Sequence, residues 1–298
     1  MKILVTGRHG QVGSALQQAL VGLGEIIALD RTQLDLSDLD TMRDAVRSIR
    51  PSIIVNAAAY TAVDQAESDE ALAFRINAEA PGVLAEEAKR LGAALIHYST
   101  DYVYDGSKSA AWLEIDATGP LSAYGRSKLA GEAAIISTGV PHLILRTSWV
   151  YGLHGKNFLL TMLRLAQSRS ELSIVNDQIG APTWSRTIAR ATVGIIKKYP
   201  ALATANHLSG IYHLCTRGQT SWYGFAEKIF AHPLIQQKPQ LHPITTENYP
   251  TPAVRPKNSV MNTDKFETMF TPLPSWEEAL AECLQQIPVE APHLLKAN

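Results

Sequence analysis

Only two cysteines, Cys215 and Cys283, occur in 298 residues, which excludes a disulfide framework and a multi-thiolate zinc site. Neither sign of charge is in excess. Twenty-seven basic side chains against 28 acidic leave a net charge of −1, so the chain has no electrostatic footprint for a nucleic acid. No run of about 18 apolar residues appears that could span a membrane, and the apolar stretch in Met1–Gly7 is too short for a signal peptide. Repeats and low-complexity linkers are absent, and the nine histidines show no H-E-x-x-H or similar metal spacing. What is present is a chain that is 46% hydrophobic and 18% charged, enough to bury a sizeable core. A soluble, cytoplasmic protein acting on a small molecule is expected, with no nucleic-acid or membrane partner.

Short runs rich in Ile and Val alternate with helical periods through the first half. Lys2–Thr6, Glu25–Leu29, Ser52–Val55, Ala94–Ser99 and His142–Arg146 read as buried strands. Val12, Leu16, Ala19, Leu20 and Leu23 form one buried helix stripe. Leu39, Met42, Val46 and Ile49 form another, with Ser37 as its N-cap and Pro51 beyond its end. This alternation predicts an α/β fold with a doubly wound parallel sheet. The second half predicts a helix near Phe158–Gln167 and strands near Leu172–Val175 and Ile211–Cys215. Five prolines between Gln236 and Asn262 exclude a long helix there, and Ser275-Trp276-Glu277-Glu278 fits a capping box opening a last helix. Residues 1–152 with roughly 185–215 are expected to form a dinucleotide-binding domain. Residues 153–184 and 216–298 are expected to form a smaller α+β lobe for substrate.

Gly7, Gly10 and Gly13 give G-x-x-G-x-x-G between the first strand and first helix. Glycines there permit a tight turn and let the amides of Gln11, Val12 and Gly13 approach a pyrophosphate at a helix N-terminus. Asp30, closing the second strand, is placed to take the adenosine ribose hydroxyls, whereas Arg31 and Arg8 suit a 2′-phosphate; NADH and NADPH both stay open. Asp35 and Leu36 are candidates to flank the adenine. Two Y-x-x-x-K pairs exist, but Tyr104–Lys108 contains the turn signal Asp105-Gly106. Tyr124–Lys128 runs into a helical segment, so these two lie on one face, one turn apart. The ammonium is expected to lower the Tyr124 pKa and make it a usable general acid for a carbonyl receiving hydride. Thr100, at the end of the Ala94–Ser99 strand, is chosen over Ser99 to polarise that carbonyl, because alternation aims only one of them at the site.

These residues, with the blocks Asn56–Asp64, His97–Tyr104, Arg146–Gly152, Asn176–Thr183 and Arg255–Ser259, resemble the extended short-chain dehydrogenase/reductase superfamily. Within it they are similar to the dTDP-4-dehydrorhamnose reductase family. The resemblance covers nearly the whole chain and implies a Rossmann-type sheet, with hydride passing from NADPH or NADH to C4 of dTDP-4-dehydro-6-deoxy-L-mannose. It implies that Tyr124 donates the proton, that Lys128 holds the nicotinamide ribose, and that Thr100 binds the carbonyl side. Ala59, Tyr60 and Thr61 would line the cofactor, Trp149 would pack on the sugar with Asp101 close by, and Arg255 would meet the nucleotide diphosphate. Related dehydratases place Asp-Glu after the active-site threonine. Here Thr100-Asp101 is followed by Tyr102, which favours a reductase.

The sequence also departs from the family. Some members hold Mg²⁺ between two protomers with carboxylates, at places that carry Ala15 and Arg186 here. Mg²⁺ needs hard oxygen ligands, so no such metal site is expected and the assembly is left as monomer or homodimer. Two other functions fit the resemblance: a nucleotide-sugar epimerase with tightly bound NAD, and a non-catalytic regulator like the regulatory subunit of methionine adenosyltransferase. The Thr100, Tyr124 and Lys128 set argues against the regulator.

Overall fold

The computed structural model describes residues 1–295. Its first half runs β1 (Lys2–Thr6), α1 (Gln11–Ala19), β2 (Glu25–Leu29), α2 (Leu39–Ile49), β3 (Ile53–Asn56), α3 (Val63–Ala66), α4 (Glu70–Phe74), α5 (Ala80–Leu91), β4 (Ala94–Thr100), α6 (Ala123–Thr138) and β5 (His142–Thr147). There follow β6 (Val150–Tyr151), α7 (Phe158–Ala166), β7 (Glu171–Val175), β8 (Ile179–Gly180), β9 (Thr183–Trp184), α8 (Ser185–Lys198) and β10 (Gly210–His213). The chain ends with β11 (Thr220–Ser221), α9 (Trp222–Ala231), β12 (Gln240–Ile244), α10 (Asp264–Met269), α11 (Trp276–Gln285) and α12 (Ile287–Glu290).

Six strands pair in parallel in the order β10-β5-β4-β3-β1-β2. This is a Rossmann-type doubly wound sheet, and its direction of winding reverses between β1 and β3, which opens a crevice at the strand C-termini. Alternate residues feed opposite cores. Ile3, Val5, Ile53, Val55, Ile96 and Leu145 meet Leu16 of α1 and Ile188 of α8, while Leu4, Ile54, Leu95 and Ile144 meet α2, α5 and Ile135 of α6. Burial on both faces explains why these strands read as continuous apolar runs.

A third, aromatic-rich core gathers Tyr151, Leu159, Trp184, Phe225, Phe230 and Trp276 from β6, α7, β9, α9 and α11. The segment after 216 is divided between cores, because Phe266 of α10 and Phe270 just past its end pack with the first sheet face. Two local expectations change, and a strand rather than a helix occupies the proline-rich segment. The α2 N-cap is Asp38, whose side chain accepts from the Thr41 N–H, while the Ser37 hydroxyl donates to Asp35. The strand expected at Ile211–Cys215 is β10, which ends at His213. Pro243 lies inside β12, where a two-stranded ladder with β7 leaves its nitrogen without an obligatory partner. The capping box at Ser275 and Glu278 is formed. No helix among the described residues is long and apolar enough to cross a membrane.

Candidate active site

The glycine loop joins β1 to α1 under tight steric limits. Gly7 sits at φ +72, and a Cβ there would lie 2.9 Å from the Ala58 backbone; one on Gly13 would lie 2.0 Å from the Gly7 carbonyl. Gly10 caps α1 without a side-chain hydrogen bond, so first-turn amides of Gln11, Val12 and Gly13 remain free of a cap and point into the crevice end of the helix. A dinucleotide pyrophosphate fits this cradle. The Gln11 side chain is otherwise engaged, with Asn157 donating to it at 2.9 Å. Asp30, at the end of β2, accepts the Thr32 amide and hydroxyl, and its other oxygen lies 3.2 Å from His9 Nε2. Those hydrogen bonds, the Thr32 hydroxyl first, hold its carboxyl below the usual range. Arg31 pairs with Asp35, and the Leu36 side chain is buried in the core beside α2.

The loop carrying Ala59, Tyr60 and Thr61 follows β3. It is fixed by Asn77, which accepts the Tyr60 N–H at 2.8 Å and donates to the Tyr60 carbonyl and the Ser127 hydroxyl, both at 3.0 Å. Asn77 lies in a π-helical stretch, Arg75–Glu79, a local widening that brings it against α6. The same side chain thereby ties the loop to the helix that bears Tyr124 and Lys128.

Thr100, Asp101, Tyr124 and Lys128 converge where β4 ends. The Thr100 hydroxyl donates to Asp101 Oδ1 at 2.9 Å and accepts the Tyr102 N–H at 3.2 Å, and it stands beside the Tyr124 phenol. Ser99 faces the other way and donates to Glu132. Tyr124 and Lys128 lie one turn apart on α6, whose N-cap Ser122 accepts the Gly125 N–H. The Tyr104–Lys108 pair is dispersed: Tyr104 is buried, stacked on Trp112 and bonded to His213, while Lys108 pairs with Asp116.

One electrostatic expectation is overturned. Burial pushes the Tyr124 phenol up to about 12, partly offset by the Thr100 hydroxyl. The reason is geometric. The Lys128 ammonium donates to the Tyr98 carbonyl at 2.7 Å and lies 3.0 Å from His97 Nε2, so it is engaged beneath the phenol. Burial lowers Lys128 itself to about 8, against the favourable charge of Glu132. Burial also raises the Asp101 carboxyl to about 6, opposed by the Ser259 and Thr100 hydroxyls; its Oδ2 is a buried oxygen with no hydrogen-bond partner.

The other side of the crevice belongs to the aromatic lobe. Trp149 has a left-handed backbone, φ +46, and its ring stacks on Trp222 with centroids 3.6 Å apart. A Cβ on Gly180 would come within 2.5 Å of that ring. Arg255 makes a two-point pair with Asp64 of α3 at 2.8 and 3.1 Å, holding the Asp64 carboxyl below its usual range. At the places where some relatives carry metal-binding carboxylates, Ala15 is buried in the first core and Arg186 pairs with Glu290 and Gln18. A guanidinium there does not fit a divalent cation, and no group of three or more His, Cys, Asp or Glu among the described residues could hold one.

Comparison with known proteins follows the same outline. The family model described as RmlD substrate binding domain matches residues 1–289. A dTDP-4-dehydrorhamnose reductase from Burkholderia thailandensis is 48% identical, with 96% of this chain and 99% of that protein covered. The chain belongs to the dTDP-4-dehydrorhamnose reductase family. Two solved members superpose closely: the Clostridium acetobutylicum protein at TM-score 0.90 and 37% identity, covering 97% of this chain and 100% of that one, and the Bacillus anthracis protein at TM-score 0.88 and 37% identity, covering 96% and 99%. The latter was solved in complex with NADP.

In this reductase-family chain, several polar residues around the crevice carry no local sequence signal for their contacts. His97, Asn56 and Thr6 are buried and joined to Lys128; Asp64 holds Arg255; Trp222 holds Trp149. Each partner is distant in sequence and meets its mate only through the fold.

Proposed function

We infer that the chain is an NAD(P)H-dependent oxidoreductase that reduces the C4 keto group of dTDP-4-dehydrorhamnose to dTDP-L-rhamnose, the last step in making that nucleotide sugar. The observation that carries the mechanism is the grouping of Thr100, Tyr124 and Lys128 at the end of β4, on the crevice side of the glycine loop. When bound, the reduced nicotinamide supplies a hydride to C4. The amides at the start of α1 hold the pyrophosphate, and Lys128 holds the ribose hydroxyls. Asp30, just past β2, takes the adenosine ribose hydroxyls in this reading.

As charge grows on the carbonyl oxygen, Tyr124 gives its phenolic proton to that atom, and Thr100 donates a hydrogen bond beside it. Burial keeps Tyr124 protonated across the physiological range, so the acid is charged for each turnover. An alkoxide is a stronger base than this phenolate, so the transfer runs downhill even with the phenol near 12. Trp149 packs on the sugar from the lobe side, Asp101 lies close to it, and Arg255 exchanges its Asp64 partner for the nucleotide diphosphate.

The test is NADPH or NADH oxidation followed spectrophotometrically with dTDP-4-dehydrorhamnose. Tyr124→Phe should lower kcat by about 10²–10⁴-fold, the contribution of a positioned acid, while leaving NADPH affinity intact. No turnover by the wild type, or full activity in Tyr124→Phe, would overturn the reading.

A further inference from the structure

Lys128 enters the crevice from α6 with two partners already beneath it, the Tyr98 carbonyl at 2.7 Å and His97 Nε2 at 3.0 Å. The contacts continue from there. His97 Nδ1 lies 3.0 Å from the Asn56 carboxamide, Asn56 accepts the Thr6 hydroxyl at 2.6 Å, and Thr6 accepts the Ala58 N–H at 3.1 Å. All four side chains are buried, each at 1% exposure. An unbroken line of polar contacts therefore runs from α6 through β4 and β3 to the residue before Gly7 and to the loop that carries Ala59, Tyr60 and Thr61.

Packing alone does not call for an imidazole here. Leu95, two residues earlier on the same face of β4, is aliphatic and belongs to the core beside α5. A buried ring next to a buried ammonium is costly unless each satisfies the other. Burial and the Lys128 charge both drive His97 to its neutral form, which leaves one ring nitrogen free to accept. With Nε2 accepting from Lys128, the ring proton sits on Nδ1; a half-turn of the Asn56 carboxamide then turns its oxygen to Nδ1 and its NH2 to the Thr6 hydroxyl, which becomes the acceptor.

We propose that His97 is a positioning residue for Lys128: its Nε2 acceptor, backed by Asn56 and Thr6, keeps the ammonium charged and in register with the glycine loop. The proposal deepens the reading of Lys128 as the group that holds the nicotinamide ribose, and rests on it. The charged and titratable groups around Lys128 act in opposite directions. Glu132, one turn further along α6, favours the ammonium but is also bound at two points to Arg146 of β5. Tyr124 lies one turn earlier and stays neutral. Desolvation opposes the charge and brings Lys128 to about 8, so a lost acceptor at His97 has no substitute beneath it except the Tyr98 carbonyl.

The experiment uses the whole enzyme with NADPH and dTDP-4-dehydrorhamnose and compares His97→Leu, His97→Gln and His97→Asn. Gln puts an acceptor near the position of Nε2, facing Lys128, whereas Asn reaches only the position of Nδ1, facing Asn56. Leu and Asn should lower kcat/KM for NADPH by about 10- to 100-fold, the range for a charged group losing a buried hydrogen bond. They should also move the alkaline limb of the pH profile down by about one unit, since the neutral amine is then favoured. Gln should restore both. If Leu does not fold, Gln against Asn still decides, since a purely structural role would make activity track melting temperature in both. Wild-type pH dependence in all variants, or no alkaline limb in the wild type, would overturn the proposal. Lys128→Met separates the two levels: unchanged NADPH turnover there would sink the reading of Lys128 itself, whereas lost turnover there with wild-type behaviour in His97→Leu would sink only the role of His97.

Discussion

The underside of α6 carries a second buried charge, and its removal gives a sharp test of the fold around the site. Arg146 donates from Nε and Nη2 to the two oxygens of Glu132 at 2.9 and 2.6 Å, and from Nη1 to the Tyr104 hydroxyl at 2.7 Å. Ser99 donates to Glu132 as well, and both charged side chains are 2% exposed. Glu132→Leu keeps the volume but leaves a guanidinium in the interior without its counter-charge, which costs about 3–5 kcal/mol. At about 2.1 cal/mol/K per residue, unfolding 298 residues carries an entropy of about 0.6 kcal/mol/K. A loss of about 4 kcal/mol therefore lowers the melting temperature by about 6 °C. Replacing both partners, Glu132→Leu with Arg146→Met, removes the desolvation cost together with the attraction and should return to within about 2 °C of wild type. Scanning calorimetry at one fixed rate and pH reads both numbers. A drop of under about 2 °C in the single variant, or a double variant as unstable as the single one, would refute the reasoning.

Two further substitutions probe the site. Asp101 has a folded pKa of about 6, above its ordinary 3.8, so its contribution favours folding fully below about pH 4 and is lost as pH rises through about 6. Above that, the buried carboxylate costs about 3 kcal/mol. Asp101→Asn keeps the acceptor for Thr100 and should raise the melting temperature at pH 8 by roughly 5 °C but hardly at pH 4; an equal change at both pH values would contradict the assignment. Gly180→Ala drives a methyl into the Trp149 ring, which cannot retreat from its stack on Trp222. The KM for the nucleotide sugar should rise by about tenfold or more, roughly 1.4 kcal/mol of lost binding, with the KM for NADPH unchanged. An unaltered sugar KM would separate Trp149 from the substrate.

Sequence reading reached the parallel sheet because its strands are buried on both faces and so appear as short Ile- and Val-rich runs. It reached the glycine loop because backbone conformation and close approach leave no alternative at Gly7 and Gly13. The helix α6 was different. Its buried face is Ser127, Lys128, Gly131 and Glu132 beside Ala123 and Ile135, so no apolar stripe marks it, and only the Tyr-Lys spacing located it. The α2 cap slipped from Ser37 to Asp38 because both residues can cap, and the choice depends on which one meets the Thr41 amide.

The error about Tyr124 has the same origin as the invisibility of His97. A local pair rule assigns the phenol its pKa from the lysine one turn away, but desolvation by the surrounding fold raises the phenol, while the lysine bonds to the Tyr98 carbonyl and His97 of β4. His97 sits between Ile96 and Tyr98 in a strand that is buried throughout, so alternation reads it as one more interior position. Its meaning depends on Lys128 and Asn56, both outside its local sequence window. Buried polar side chains at consecutive same-face positions, His97 and Ser99, break the apolar rule of a parallel strand, and both point at α6, one to Lys128 and the other to Glu132. A local rule broken twice on one strand face, with His97 and Ser99 each paired across to one helix, is the physical trace of a helix that must be held in a single register while its other end offers a proton to the crevice.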